Sequence, residues 1–121
     1  MKKIAIITGA STGLGREFVK CIYKKNEIDE IWAIARHQDK LKKLKKQMGS
    51  KIRTISMDLS DRNRIKELDS MLSSGNVEIR YLINNAGYAK FCSYGDLNIE
   101  ESLNVIDLNI CGVVAMGLVC I

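Results

Sequence analysis

Three glycines, Gly9, Gly13 and Gly15, stand in the stretch IAIITGASTGLGREF, residues 4–18, where an apolar run hands over to a helical pattern. Glycine tolerates positive φ and lets the backbone come close to a ligand. The helix that follows begins with N–H groups lacking intrahelical partners and with a partial positive charge, both of which favour a pyrophosphate. Gly9-x-x-x-Gly13-x-Gly15 after a strand therefore reads as a phosphate cradle formed by the amides around residues 11–15. Gly15 also lets the helix pack tightly on the sheet. A lone glycine motif is equally a tight structural turn; the strand–turn–helix context favours the cradle.

The rest of the chain must position that turn. Residues 3–8 are short, apolar and Ile-rich, as in a buried strand. Residues 13–25 predict a helix with Leu14, Phe18, Cys21 and Ile22 on one stripe. A second strand spans 30–36, and a Lys-rich helix spans 38–48, with Leu41, Leu44 and Met48 inward and Gly49 closing it. The third strand, 51–59, sets Ile52, Thr54 and Ser56 against Arg53, Ile55 and Met57. Ser60 or Asp61 can cap a helix running to about residue 73 with Ile65, Leu68 and Leu72 inward. Residues 73–76 form a turn, 79–87 a fourth strand ending in glycine, and 88–98 a loop. A long apolar helix follows from about Ile99. Strict alternation implies a parallel sheet with helices on both faces. It matches one half of a doubly wound, Rossmann-like fold plus one strand of the second half, with strand order 3-2-1-4.

Bulk properties narrow the class. At 121 residues, 46% hydrophobic and 27% charged, without proline, the chain reads as one ordinary soluble domain. Much of the net charge of +5 lies in DKLKKLKKQ, residues 39–47, a solvated helix face. A mildly basic surface suits an anionic ligand, but no nucleic-acid-binding motif accompanies the lysines, so no nucleic-acid partner is expected. Cys21, Cys92, Cys111 and Cys120 have no C-x-x-C spacing, and His37 is the one histidine. That is no zinc pattern; the cysteines read as reduced, packed side chains of a cytoplasmic protein. Trp32 reads as core. The opening MKKIAII is too short an apolar run for a signal peptide. The closing twelve residues, ICGVVAMGLVCI, are too few to span a bilayer, so no membrane partner is expected.

TGASTGLG, residues 8–15, resembles the T-G-x-x-x-G-x-G signature of the short-chain dehydrogenase/reductase family. AIAR (33–36), MDLSD (57–61), NNAG (84–87) and VIDLNICG (105–112) agree with that family in the right order. The resemblance covers the whole chain. It implies cofactor contacts from Gly9, Ser11, Thr12, Gly13, Leu14 and Gly15 at the phosphates. It implies Asp58, with Leu59, at the adenine, and Asn85, Ala86 and Gly87 beside the cofactor. Asn109 falls at the asparagine of the family's catalytic tetrad. The implied activity is hydride transfer between nicotinamide C4 and a small-molecule carbonyl or alcohol. A tyrosine acts as general acid or base, with its pKa lowered by a lysine four residues on.

The second strand ends at the ribose. An acidic residue there would bond the 2′-OH of NAD and repel a 2′-phosphate. Here the strand ends in Ala35-Arg36, and the next carboxylate is Asp39. Arg36 can fork onto a phosphate or stack on adenine, and Ser11 can donate to the same phosphate. NADP(H) is therefore expected over NAD(H).

No Tyr-x-x-x-Lys occurs: Tyr23, Tyr81, Tyr88 and Tyr94 are followed four residues on by Glu27, Asn85, Cys92 and Asn98. Of the tetrad only Asn109 is present. The chain thus reads as a truncated, single dinucleotide-binding domain over residues 1–121, without the C-terminal catalytic half and without expected turnover. A second reading is a non-catalytic nucleotide-binding or self-associating module. The last helix, apolar nearly all round from Leu103 to Val119, and the open edge of the fourth strand predict a homo-oligomer. Tyr88, Phe91 and Tyr94 are candidates for the border of a substrate pocket.

Overall fold

Short apolar runs become strands and 3.6-period runs become helices in a computed structural model that describes residues 1–87 and 98–121. The order is β1 (Lys2–Thr8), α1 (Gly13–Lys25), β2 (Glu30–Ala35), α2 (Gln38–Met48), β3 (Ile52–Ser56), α3 (Arg62–Ser74), β4 (Val77–Ile83) and α4 (Ile99–Cys120). The four strands are parallel in the order β3-β2-β1-β4, as expected from the alternation.

The two faces of the sheet carry separate cores. Ala5, Ile7, Ile31, Ala33 and Ile52 face α1 and α2 and meet Val19, Ile22, Leu41 and Leu44. Ile4, Ile6, Trp32, Ile34 and Ile55 face α3 and α4 and meet Ile65, Leu68, Leu72 and Met116. Each such aliphatic side chain, buried on folding, contributes about 1.5–3 kcal/mol. Trp32 is core, as expected; its indole N–H donates to Glu30 Oε1 at 2.7 Å, and the Arg53 guanidinium lies 4.4 Å from its ring centre.

Several expectations are corrected. The α1 stripe is Gly15, Val19 and Ile22, while Leu14 and Cys21 are exposed. Cys111 and Cys120 are half-buried, and burial pushes the Cys120 thiol up to about 11. Strand β3 ends at Ser56 rather than at residue 59, because Asp58 turns the chain: its Oδ1 accepts from Ser60 N at 2.9 Å, and its carbonyl accepts from Asp61 N at 3.0 Å. Strand β4 runs from Val77 to Ile83 rather than over 79–87, with Arg80 inserted as a bulge between Ile79, opposite Ile4, and Tyr81, opposite Ala5. The caps agree with expectation: Asp61 accepts from Asn63 N at 3.0 Å, and Gly49, at φ +100°, ends α2. Tyr88, Phe91, Cys92 and Tyr94 lie outside the described residues.

Helix α4 is not uniform. It is α-helical over Ile99–Ile106 and Val113–Cys120 and π-helical over Asp107–Gly112. Met116 is buried on α3 and the sheet, but no residue of Ile99–Ile106 is buried. Its 22 residues would reach about 33 Å. By length and composition the helix can therefore cross a membrane, where the twelve-residue closing run was too short.

Replacing Leu68, fully buried under the sheet, by alanine should lower unfolding free energy by about 2–5 kcal/mol in urea titrations. Ile99→Ala, at an 81% exposed site, should change it by less than about 0.5 kcal/mol.

Candidate functional site

The carboxyl ends of β1 and β4 are bolted together by one buried hydroxyl. Thr8 Oγ1 accepts from Asn85 N at 3.0 Å and Ala86 N at 2.9 Å, and donates to Ile83 O at 3.5 Å. Asn85 Nδ2 donates to Gly9 O at 3.3 Å. The glycine turn therefore rests on the Asn84–Gly87 segment.

The three glycines have three different reasons. A Cβ on Gly15 would stand 1.9 Å from Gly9 O, so α1 can sit this close only without a side chain there. Gly9 combines φ +61° with a would-be Cβ only 3.0 Å from Ala86 Cα. Gly13 has φ +57°, and a Cβ there would meet nothing within 4 Å, so the turn opens onto free space where the helix begins. Thr12 occupies the N-cap of α1 without a side-chain capping bond, and the first turn carries no acidic residue. By contrast Asp61 and Asn98 cap α3 and α4 through their side chains. The first N–H groups of α1 are thus presented to an external acceptor.

That turn forms one wall of a cleft of about 210 Å³ at the carboxyl ends of the strands. Gly9, Ser11 and Thr12 line it from the turn, and Ala86 and Gly87 from the segment after β4. Ile34, Ala35, Arg36, His37 and Lys40 line it from the end of β2 and the start of α2, and Met57, Leu59 and Leu108 close it from the other side. The described lining residues include three basic-type side chains, Arg36, His37 and Lys40, and no carboxylate.

Of the residues singled out by sequence, Gly9, Ser11, Thr12, Arg36, Leu59, Ala86 and Gly87 meet in this cleft. Gly13 and Gly15 shape the turn without lining the cleft, Leu14 is 64% exposed, and Asn85 lies beneath the turn. Asp58 sits in an adjoining cleft of about 220 Å³, with Arg36, Ser60, Glu101, Asn104 and Leu108. Its Oδ1 is tied by Ser60 Oγ at 2.7 Å. Asn109 lies in the π-helical segment, its Oδ1 3.5 Å from the position of a Cβ on Gly87. Asn84 Nδ2 donates to Val113 O at 3.1 Å, fixing the same loop to α4.

Sequence reasoning missed Thr8 as the bolt, and Lys40, Met57 and Leu108 as lining residues. Lys40 stands in the first turn of α2, just after Arg36 at the end of β2, a position that could have marked it. Thr8 closes a strand whose buried residues are otherwise aliphatic, and among the described residues it is the one polar side chain of the buried core.

Residues 3–120 match the family model for short chain dehydrogenases. This chain belongs to the short-chain dehydrogenase family. It is 33% identical over 118 residues to a probable short-chain type dehydrogenase/reductase, VdlC, of Helicobacter pylori, covering 95% of this chain and 42% of that protein. It is 33% identical over 119 residues to an NADP-dependent 3-hydroxy acid dehydrogenase of Schizosaccharomyces pombe, covering 94% and 46%. A closed serine dehydrogenase structure complexed with NADP+ superposes with a TM-score of 0.85 at 27% identity, covering 98% of this chain and 47% of that one. The chain therefore spans less than half the length of each of these proteins.

Thr8→Val, which keeps the shape but removes the hydroxyl, should cost about 1–3 kcal/mol in urea titrations, since two partly buried N–H groups lose their acceptor. Thr8→Ser should restore most of the loss. Equal stability of all three proteins would show that the bolt carries no weight.

Proposed function

We propose that this chain is the dinucleotide-binding portion of an NADP-dependent oxidoreductase that interconverts a carbonyl and an alcohol on a small molecule. The observation that carries the reading is the uncapped start of α1, opened by Gly13, facing a cleft with basic side chains on its opposite rim. A dinucleotide phosphate fits these features: the first amides of α1, with Ser11 and Thr12, take the pyrophosphate. Arg36 and Lys40, with His37 beside them, take a ribose 2′-phosphate. Asp58 and Leu59 border the adenine, and Asn85, Ala86 and Gly87 hold the floor. Two relatives whose names specify NADP support the choice of cofactor.

Bound there, the cofactor supplies the hydride. The chain's own contribution is to orient it and to place Asn109 beside the Gly87 end of the cleft. The proton donor that the family resemblance implies is a Tyr-x-x-x-Lys, and these 121 residues contain none. Binding without turnover is therefore the expected behaviour of the chain by itself, in the cytoplasm and as a homo-oligomer. The outward apolar stripe of α4 favours the second reading, a self-associating module, as a property of the same chain rather than as a rival.

Following NADPH fluorescence on titration should give saturable binding, tighter than for NADH. Arg36→Asp should weaken NADPH by about 10–100-fold, since a charge-assisted bond is worth about 1.5–3 kcal/mol, and should leave NADH equal or tighter. Equal affinity for both cofactors in the parent chain, unmoved by the substitution, would overturn the NADP assignment. Carbonyl reduction by the 121 residues alone would overturn the expectation of no turnover.

A further inference from the structure

Arg36 stands on the ridge between two clefts of opposite character. On one side it shares the glycine-turn cleft with His37 and Lys40, and on the other it shares the adjoining cleft with Asp58 and Glu101. A guanidinium on a long, exposed stem can serve either side. Turned toward Lys40, it adds to the positive rim that an entering anion meets. Turned toward the carboxylates, its charge is met by the chain itself. What fixes the main chain beneath Arg36 therefore bears on which charge the guanidinium meets.

The main chain at that point has left the sheet. Strand β2 ends at Ala35, whose carbonyl accepts from Met57 N at 2.9 Å. His37, the N-cap of α2, makes no side-chain capping bond. Between them Arg36 lies at a bend, and its carbonyl is held by a side chain: Ser56 Oγ donates to Arg36 O at 3.0 Å. Ser56 is itself seated from α3. Arg64 donates from Nη2 to Ser56 O at 2.9 Å, and its Nη1 pairs with Glu67, three residues on. One serine thus ties α3 to the end of β2, through its carbonyl on one side and its hydroxyl on the other. Pairing of the strands does not need that hydroxyl, because Ser56 is already in register with Ala35.

Resting on the dinucleotide reading above, we infer that Ser56 is a positioning residue for cofactor choice: by bonding the Arg36 carbonyl it keeps the guanidinium on the Lys40 side of the ridge, where it meets a 2′-phosphate, and away from Asp58 and Glu101. Ser56 is not among the residues lining either cleft, so it acts through Arg36 and not by touching the cofactor. Its effect is confined to the part of the ligand that Arg36 contacts, the phosphate that distinguishes NADPH from NADH. Loss of the hydroxyl widens the range of positions open to Arg36. It leaves alone the amides at the start of α1 and the bonds of Thr8, on which both cofactors depend equally.

The test measures NADPH and NADH affinities of the whole 121-residue chain by cofactor fluorescence, beside urea titrations, for Ser56→Ala, Ser56→Thr and Ser56→Val. Threonine and valine share a shape and both suit a strand, so that pair isolates the hydroxyl even if Ser56→Ala folds poorly. Ser56→Ala and Ser56→Val should bind NADPH about 3–10-fold more weakly, the loss of roughly one hydrogen bond, and NADH within about 2-fold of the parent. Ser56→Thr should stay near the parent for both cofactors. In an Arg36→Ala background the Ser56 substitutions should have no further effect on NADPH, because a positioning residue acts only through the group it positions. A fall in both affinities by the same factor, or a fall that persists without Arg36, would show a merely structural serine and overturn the inference. NADPH binding that depends on Arg36 but not on Ser56 would overturn it too, and leave the dinucleotide reading intact. Absence of NADPH binding by the parent chain would overturn both.

Discussion

One oxygen atom holds the site together. Thr8 Oγ1, at the end of the central strand, satisfies two backbone N–H groups of the segment after β4 and bonds the carbonyl of Ile83. The parallel order β3-β2-β1-β4 places the ends of β1 and β4 side by side where the chain direction of the connections reverses, the place where open α/β sheets bind ligands. Without that link, Asn85 N and Ala86 N would be left to water. With it, the Asn84–Gly87 segment becomes a rigid floor, and the glycine turn is laid on that floor. The would-be contact of 1.9 Å between a Cβ on Gly15 and Gly9 O shows how tightly the turn and α1 are pressed together. The openness of Gly13 is the complementary feature: the turn is closed toward the protein at Gly9 and Gly15 and open at Gly13.

The element order and the sheet were legible from local pattern, because buried parallel strands are continuous apolar runs and their covering helices show a one-sided stripe. What was not legible depended on contacts distant in sequence. The bulge at Arg80 puts Ile79 and Tyr81, two residues apart, on opposite faces of the sheet, which no period-two reading of β4 can reproduce. The end of β3 was misplaced because Asp58 bonds its own neighbour Ser60 rather than continuing the ladder. Leu14 and Cys21 looked inward by composition, but the close seat of Gly15 sets the phase of α1 and turns both outward. The role of Thr8 depends on partners 77 and 78 residues away. The glycines and Arg36, by contrast, act through backbone freedom and terminal position, which spacing alone reveals.

The basic character of the chain divides in the same way. Lys42, Lys43, Lys45 and Lys46 are exposed on α2 away from the cleft, while Lys40, on the same helix, lines it with Arg36 and His37. Composition cannot distinguish these lysines; helical phase does. An anion approaching the cleft meets the positive groups that share its concave surface with the start of α1. The solvated lysines contribute to solubility and long-range attraction, whereas those in the cleft set position.

Helix α4 carries the remaining tension. Its length and apolar content satisfy the criterion for a membrane span, yet one of its residues, Met116, is fully buried in the core beneath the sheet, and Leu108 reaches the cleft. A helix inserted in lipid could not keep Met116 under Trp32 and Leu68. The π-helical turn reconciles the two demands within this fold. It lets the second half of the helix pack on α3 while the first half keeps a polar face toward Arg36 and Asp58 and an apolar face outward. The exposed stripe is thus the reverse side of a helix whose other face lines the cleft.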